Sequence, residues 1–292
     1  MKRFAYLLGA LGAVVAAAVA YFALRPTEPM TEKENGSFIV AWRSAGEPSS
    51  DPLDPAWARL SPATVSIYPQ VGVAPGSEPS GAATLNVRAL YGDKTLALHL
   101  EWSTARPTKE RAIGAFADGA AIQWPVRYGP GEALPYIGMG HAGAPVALWF
   151  WRADDSVETL AAEGFGTLTV QPSDGVKARG VWKDGVWRAV FARPLEPSPA
   201  DHRVRLNPAG QGLVPVAFAV WSGEERERDG LKRLSAWQAL RFEKGKRNRA
   251  YAEQLAEPVI TGDAGNGRRL MGESGCVGCH AFPGNPDRPS AG

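Results

Sequence analysis

Residues 84–102 read TLNVRALYGDKTLALHLEW. From Thr84 to Tyr91 and again from Thr95 to Trp102, apolar side chains alternate with polar or small ones. A period of two marks strands with one buried face, and Gly92-Asp93 between two such runs predicts a hairpin. Phe38–Trp42, Val146–Trp151, Val176–Trp182, Trp187–Phe191, Val214–Trp221 and Ala236–Phe242 share the same character. Asp184-Gly185 joins the third and fourth of these as a second turn. Strands separated by Gly, Pro and Asp, with almost no stretch of period 3.6, predict an all-β fold, an antiparallel β-sandwich or barrel. Pro130 to Gly143 is rich in Gly and Pro and reads as a loop.

Toward the end the pattern changes. Asn248–Ala256 reads as a short helix, Glu257-Pro258 as a boundary, and Asp263–Gly275 as a helix leading into the chain's two cysteines. At the other end, Lys2-Arg3 precedes an uncharged run from Phe4 to Leu24. About 20 such residues cross a bilayer as a helix. The basic pair ahead of them keeps the amino terminus in the cytoplasm and sends the rest across. A cleaved signal peptide is the competing reading, with Ala16–Ala20 as small residues for cleavage; the length of the run favours an anchor. Either way the chain is exported. The expected organisation is an anchor over 1–24, a Pro-containing linker over 25–36, a β-sandwich domain over 37–257 and a partial α-helical domain over 258–292.

Among 292 residues, 32 Lys and Arg face 30 Asp and Glu. So even a balance argues against a nucleic-acid binder, which carries a basic excess. No G-x-S-x-G, H-E-x-x-H or phosphate-binding glycine loop is present, so nothing points to a hydrolase.

Cys276-Val-Gly-Cys279-His280 holds both cysteines. C-x-x-C-H suits covalent haem: two thiols add to the two vinyl groups, and the adjacent histidine reaches the iron. Zinc needs more ligands than the neighbourhood supplies, and a redox dithiol needs a βαβ setting. Gly262 to Cys276 resembles the first helix and haem loop of class I cytochrome c domains. Twelve residues follow His280, so the expectation is the start of such a domain, without the later Met that closes the sixth position in that family. Met271 is expected to pack on the leading helix.

Two further motifs lie in the β region. One is Met139-Gly-His-Ala-Gly-Ala-Pro-Val146 running into Leu148-Trp149-Phe-Trp151. The other is Val216-Ala-Phe-Ala-Val-Trp221-Ser-Gly, a charged run, then Gly230-Leu-Lys232-Arg-Leu-Ser235-Ala-Trp237. Together they resemble the haem b-binding gamma subunits of ethylbenzene dehydrogenase and dimethylsulfide dehydrogenase, periplasmic molybdenum enzymes of the dimethyl sulfoxide reductase family, with the related selenate and chlorate reductases. The resemblance implies a β-sandwich holding a non-covalent haem b between a methionine and a lysine, which fall here on Met139 and Lys232. Trp149, Trp151 and Trp237 would line or flank that pocket. By side-chain type alone, Met139 is an apolar loop residue, and Lys232 belongs to a charged run that normally is a solvated loop. His141, two residues from Met139, is the rival ligand, and His99 reads as a packed or surface histidine.

The expected protein is therefore an extracytoplasmic, membrane-anchored di-haem electron carrier and not an enzyme. Its cofactors are haem c, on Cys276, Cys279 and the iron ligand His280, and haem b. Its expected partners are the iron–sulfur and molybdopterin subunits of a nitrate, selenate or chlorate reductase or a dehydrogenase, with a soluble cytochrome or a quinol-oxidising membrane complex. The alternative is a β-sandwich module for carbohydrate or a small molecule, fused to a c-type cytochrome.

Overall fold

The structure, a computed structural model, describes residues 38–70, 83–110, 112–196, 203–208 and 212–245, together with 251, 255, 263, 265, 266 and 269. The anchor and linker over 1–36, and Cys276, Cys279 and His280, lie outside the described residues. Among the described residues no helix is long and apolar enough to cross a membrane.

Among the described residues the elements are thirteen strands and one short helix: β1 (Phe38–Arg43), α1 (Pro55–Ala58), β2 (Ala63–Pro69), β3 (Ala83–Tyr91), β4 (Thr95–Ser103), β5 (Gly119–Pro125), β6 (Val146–Arg152), β7 (Val157–Ala162), β8 (Thr169–Val170), β9 (Lys177–Lys183), β10 (Val186–Pro194), β11 (Leu213–Trp221), β12 (Arg233–Ser235) and β13 (Gln238–Phe242). They are hydrogen-bonded in the order β8-β7-β6-β5-β11-β12-β2-β3-β4-β10-β9. The array folds over on itself as two layers, one built around β6, β5 and β11 and the other around β3, β4 and β10. Their inner faces meet in a core that includes Trp124, Trp149, Trp151 and Phe218 from the first layer and Leu85, Leu98, Trp187 and Phe191 from the second.

Both expected hairpins form. Tyr91 pairs with Leu96 across Gly92-Asp93. Asp184 and Gly185 both take positive φ, 54° and 78°, the backbone a two-residue turn between twisted strands requires. The expectation of a wholly antiparallel sheet is corrected at β1, which runs parallel to both of its neighbours, β13 and β3. One neighbour belongs to each layer, so β1 stitches the layers together instead of returning as a hairpin.

Strands β5, β7, β8 and β12 carry no clear period-two signal in the sequence, whereas β2 does alternate over Thr64–Ile67 and is missing from the expected strands. In β5, GAAIQWP, every residue is buried, so no polar face alternates with the apolar one.

Candidate functional site

Along β5, Ala120, Ile122 and Trp124 point into the main core, so Gly119, Ala121 and Gln123 occupy the opposite face. The same alternation sends Ala217, Ala219 and Trp221 of β11 outward, and Leu148 and Phe150 of β6. Pairing of Ala121 with Phe150, of Ala219 with Ala121 and of Ala219 with Leu234 aligns these residues as a row across four strands. The middle of that outer face, on β5 and β11, is therefore made of Gly119, Ala121, Ala217 and Ala219. Strand faces that pack on protein usually carry β-branched or larger residues. This low floor is roofed by side chains: Ile137, Phe150 and Trp221 pack over Ala121, Ala219 and Leu234.

Met139 borders one side of the floor. It packs against Val146, Leu148, Leu160 and Ala162 on β6 and β7, as do Phe150 and Trp237. The loop carrying Met139 lies over the outer face, held by Gln123 Nε2 donating to the Ile137 carbonyl (2.8 Å) and Trp237 Nε1 donating to the Pro135 carbonyl (2.9 Å). The Met139 carbonyl accepts from Gly164 N at 2.9 Å. Met139 itself sits at φ 75°, a left-handed conformation that residues with a Cβ adopt at a cost. Next to it, Gly140 at φ 76° has no room for a Cβ, which would come 2.7 Å from the Ala144 carbonyl oxygen.

Lys232 borders the other side. Leu234 pairs with Ala219 and Arg233 with Val220, so one step further Lys232 stands opposite Trp221, on the outer face. Its Nζ lies 5.5 Å from the centre of the Trp221 ring, and Trp221 in turn packs 4.8 Å, centre to centre, from Phe150. The solvated-loop reading of this run is corrected at Lys232, which is 9% exposed. No carboxylate among the described residues lies within ion-pair distance of it. Three of the run's four acids are engaged elsewhere: Glu224 with Arg106, and Glu225 and Glu227 with Arg233. Burial pushes the Lys232 amine below its ordinary pKa, against the pull of Asp229. A buried amine without a counter-ion is costly, and it stands at the edge of the low floor. Between β6 and β12 lie three interstrand spacings, about 14 Å, which Met139 and Lys232 approach from opposite ends.

His141 is exposed, and its Nδ1 accepts the Tyr136 N–H at 3.1 Å. A neutral ring held this way keeps its proton on Nε2, the nitrogen that would have to bind iron. Trp149 and Trp151 do not flank the outer face. They alternate with Leu148 and Phe150 and are fully buried in the main core, which corrects the expectation for them. Trp237 does flank it. His99 is buried, stacked on Trp57 at 5.1 Å, on the far layer. The alanine floor escaped the sequence reading; its only signal is that small residues recur at every second position of 119–121 and 217–219.

A family model described as ethylbenzene dehydrogenase matches residues 54–175. A Haloferax mediterranei protein described as the ORF7 heme subunit of a respiratory nitrate reductase is 33% identical over 214 residues, 72% of this chain and 75% of that protein. The gamma subunit of Ideonella dechloratans chlorate reductase is 37% identical over 161 residues, 54% of this chain and 64% of the relative. The gamma subunit of Rhodovulum sulfidophilum dimethylsulfide dehydrogenase is 32% identical over 204 residues, 64% of this chain and 72% of the relative. Among solved structures, a family 9 carbohydrate-binding module from Caldicellulosiruptor kristjanssonii superposes with a TM-score of 0.42 at 10% identity, over 76% of this chain and 98% of the module, and nothing about a ligand follows from it. With this identity sustained over most of two relatives' lengths, the chain belongs to the haem-binding gamma-subunit family of the ethylbenzene dehydrogenase type.

Proposed function

We propose that the protein is a non-catalytic electron-transfer subunit that holds one haem b on the outer face of its first layer, between Met139 and Lys232. The observation that carries this reading is Lys232: a buried amine with no ion pair among the described residues, set over the Trp221 ring at the edge of a floor of Gly119, Ala121, Ala217 and Ala219. Those residues fit the group. The floor carries only small side chains, so a flat macrocycle would lie on it once Ile137, Phe150 and Trp221 draw aside, and a lysine gives up its proton to bind a metal more readily where burial already disfavours the charge. Met139 offers a soft thioether, held by a loop that is hydrogen-bonded to the sheet at two points. Haem held there would supply a one-electron carrier, its potential tuned by the side chains that hold it and by its burial. The chain's own part is to fix the two ligands and exclude water through Phe150, Trp221, Ile137 and Trp237.

The proposal extends beyond the described residues. Cys276 and Cys279 bind haem c covalently with His280 on its iron, and residues 1–24 anchor the chain with its bulk on the extracytoplasmic side. In this role the subunit connects the respiratory chain to an iron–sulfur and molybdopterin oxidoreductase; the relatives are named as subunits of a respiratory nitrate reductase, a chlorate reductase and a dimethylsulfide dehydrogenase. Pyridine haemochrome spectra of the full chain, made in cells competent for cytochrome maturation, test this. We expect b and c haem in equal amounts, with b haem alone lost in Met139→Ala and Lys232→Ala. Full b haem in both variants rejects the ligand pair. A parent that carries covalent haem only turns the β-sandwich into a module for some other ligand.

A further inference from the structure

Asp118 lies at the base of β5 with none of its surface exposed. Its Oδ2 accepts from Trp187 Nε1 (2.8 Å) and Thr108 N (2.9 Å), and its Oδ1 accepts from Gly223 N (2.7 Å). Two of those donors belong to the scaffold. The third does not. Gly223 begins the charged loop that runs from β11 to Lys232, and the rest of that loop is fastened from this end onward. Glu227 Oε2 accepts from Ser222 N (2.7 Å), Arg226 N donates to the Gly223 carbonyl (3.0 Å), and Trp221 Nε1 donates to the Asp229 carbonyl (3.2 Å). Arg226 and Asp229 hold positive φ, 59° and 51°, within it. Gly223 is pressed so closely against the scaffold that a Cβ would stand 1.9 Å from the Phe116 carbonyl oxygen. A single buried carboxylate therefore fixes where this strained loop leaves the core, nine residues before the amine.

We infer that Asp118 is the positioning residue for Lys232: through the Gly223 N–H it sets the register of the Lys232 loop over the outer face. The inference rests on the proposed haem b reading and adds to it a residue on the far side of the sheet that touches no cofactor. Asp118→Asn tests the bond selectively. The amide has one acceptor oxygen and one donor nitrogen. It keeps more hydrogen bonds by turning its oxygen to Trp187 and Thr108, which sets its nitrogen against the Gly223 N–H. Gly223→Ala displaces the same N–H from the opposite side and leaves the carboxylate intact, while Trp187→Phe removes a scaffold donor and spares Gly223.

The readout is the optical and electron paramagnetic resonance spectrum of the b haem in the full chain, recorded where circular dichroism shows the sheet intact. Asp118→Asn and Gly223→Ala should both convert part of the six-coordinate low-spin form to high-spin and move the midpoint potential. Trp187→Phe should lower the melting temperature and leave the spectrum as in the parent. A parent with b haem whose spectrum and potential survive both Asp118→Asn and Gly223→Ala overturns this inference alone, as does a Trp187→Phe spectrum changed to the same extent. A parent without b haem overturns the underlying reading as well.

Discussion

Lys232→Met should make the cofactor-free protein more stable while abolishing its b haem. In the parent the amine is 9% exposed, has no ion pair among the described residues, and is compensated by the Trp221 ring at 5.5 Å and by the more distant charge of Asp229. A cation over an indole recovers about 1–2 kcal/mol, less than the several kcal/mol that removing an unpaired ammonium from water costs. Methionine keeps the length and the apolar stem and discards the charge, so the net gain is about 2 kcal/mol. For a domain of this size that gain corresponds to a rise of roughly 4–8 °C in melting temperature. The assay is differential scanning calorimetry of haem-depleted full-length chain, beside the haemochrome count of the loaded protein. Lys183→Met, at an exposed position of β9, serves as the control and should stay within about 0.5 kcal/mol of the parent. The logic fails if Lys232→Met melts at or below the parent temperature, because the amine would then be satisfied where it stands. It fails equally if that variant retains its b haem.

Ala219 is 6% exposed beneath Ile137, Phe150 and Trp221, so Ala219→Leu should cost the cofactor-free protein about 1–3 kcal/mol and exclude b haem; an unchanged melt with full b haem would mean that nothing lies on this face. His99 is buried against Trp57, and burial lowers its pKa from 6.5 to about 4 despite the Pro52 carbonyl and Glu101. Because the folded-state value lies below the unfolded one, the stability is whole above about pH 6.5 and is lost as pH falls toward 4, by about 3 kcal/mol in all. Urea midpoints at pH 7 and pH 4 read this, and His99→Leu should flatten the acid side. Asp174→Ala strands the fully buried Arg193 guanidinium, paired at 3.0 Å, and should cost about 3–5 kcal/mol by chemical denaturation; a smaller loss would mean that the Val204 and Pro194 carbonyls suffice for it. Replacing Cys276 and Cys279 with Ala should abolish haem staining on a denaturing gel; staining that persists excludes the thioether links.

Where one face of a strand is wet, the sequence announces the strand. β3 and β4 alternate because Asn86, Arg88 and Glu101 stand on the outer face of the second layer, opposite Leu85, Leu98 and Leu100. β5 and β12 give no such signal. β5 is covered on both faces, and β12 is three residues long and enters directly from a charged run. The parallel setting of β1 is equally illegible, since a strand's own residues do not record the direction of neighbours that are remote in the chain. Its partners Ala239 and Ala89 lie far from it in sequence.

The candidate site divides along the same line. Met139 and Lys232 entered through motif resemblance, because side-chain type alone argues against both: an apolar loop residue and one cation among many. What makes Lys232 unusual is a fact about its neighbours, that three nearby carboxylates all turn to arginines, Glu224 to Arg106 and Glu225 and Glu227 to Arg233. A count of charges along the run gives no hint of this sorting, since the numbers balance whichever cation is left out. The floor is hidden for the opposite reason. Alanine and glycine are silent in any hydrophobic pattern, and their meaning appears only when Gly119, Ala121, Ala217 and Ala219 are seen on one face of two adjacent strands. A binding face made by leaving side chains out is legible in the register of the sheet and not in the order of the residues. The loop at Asp118 joins the two cases: one buried carboxylate, which any strand pattern would score as a break, holds the start of the segment that brings the unpaired amine to that face.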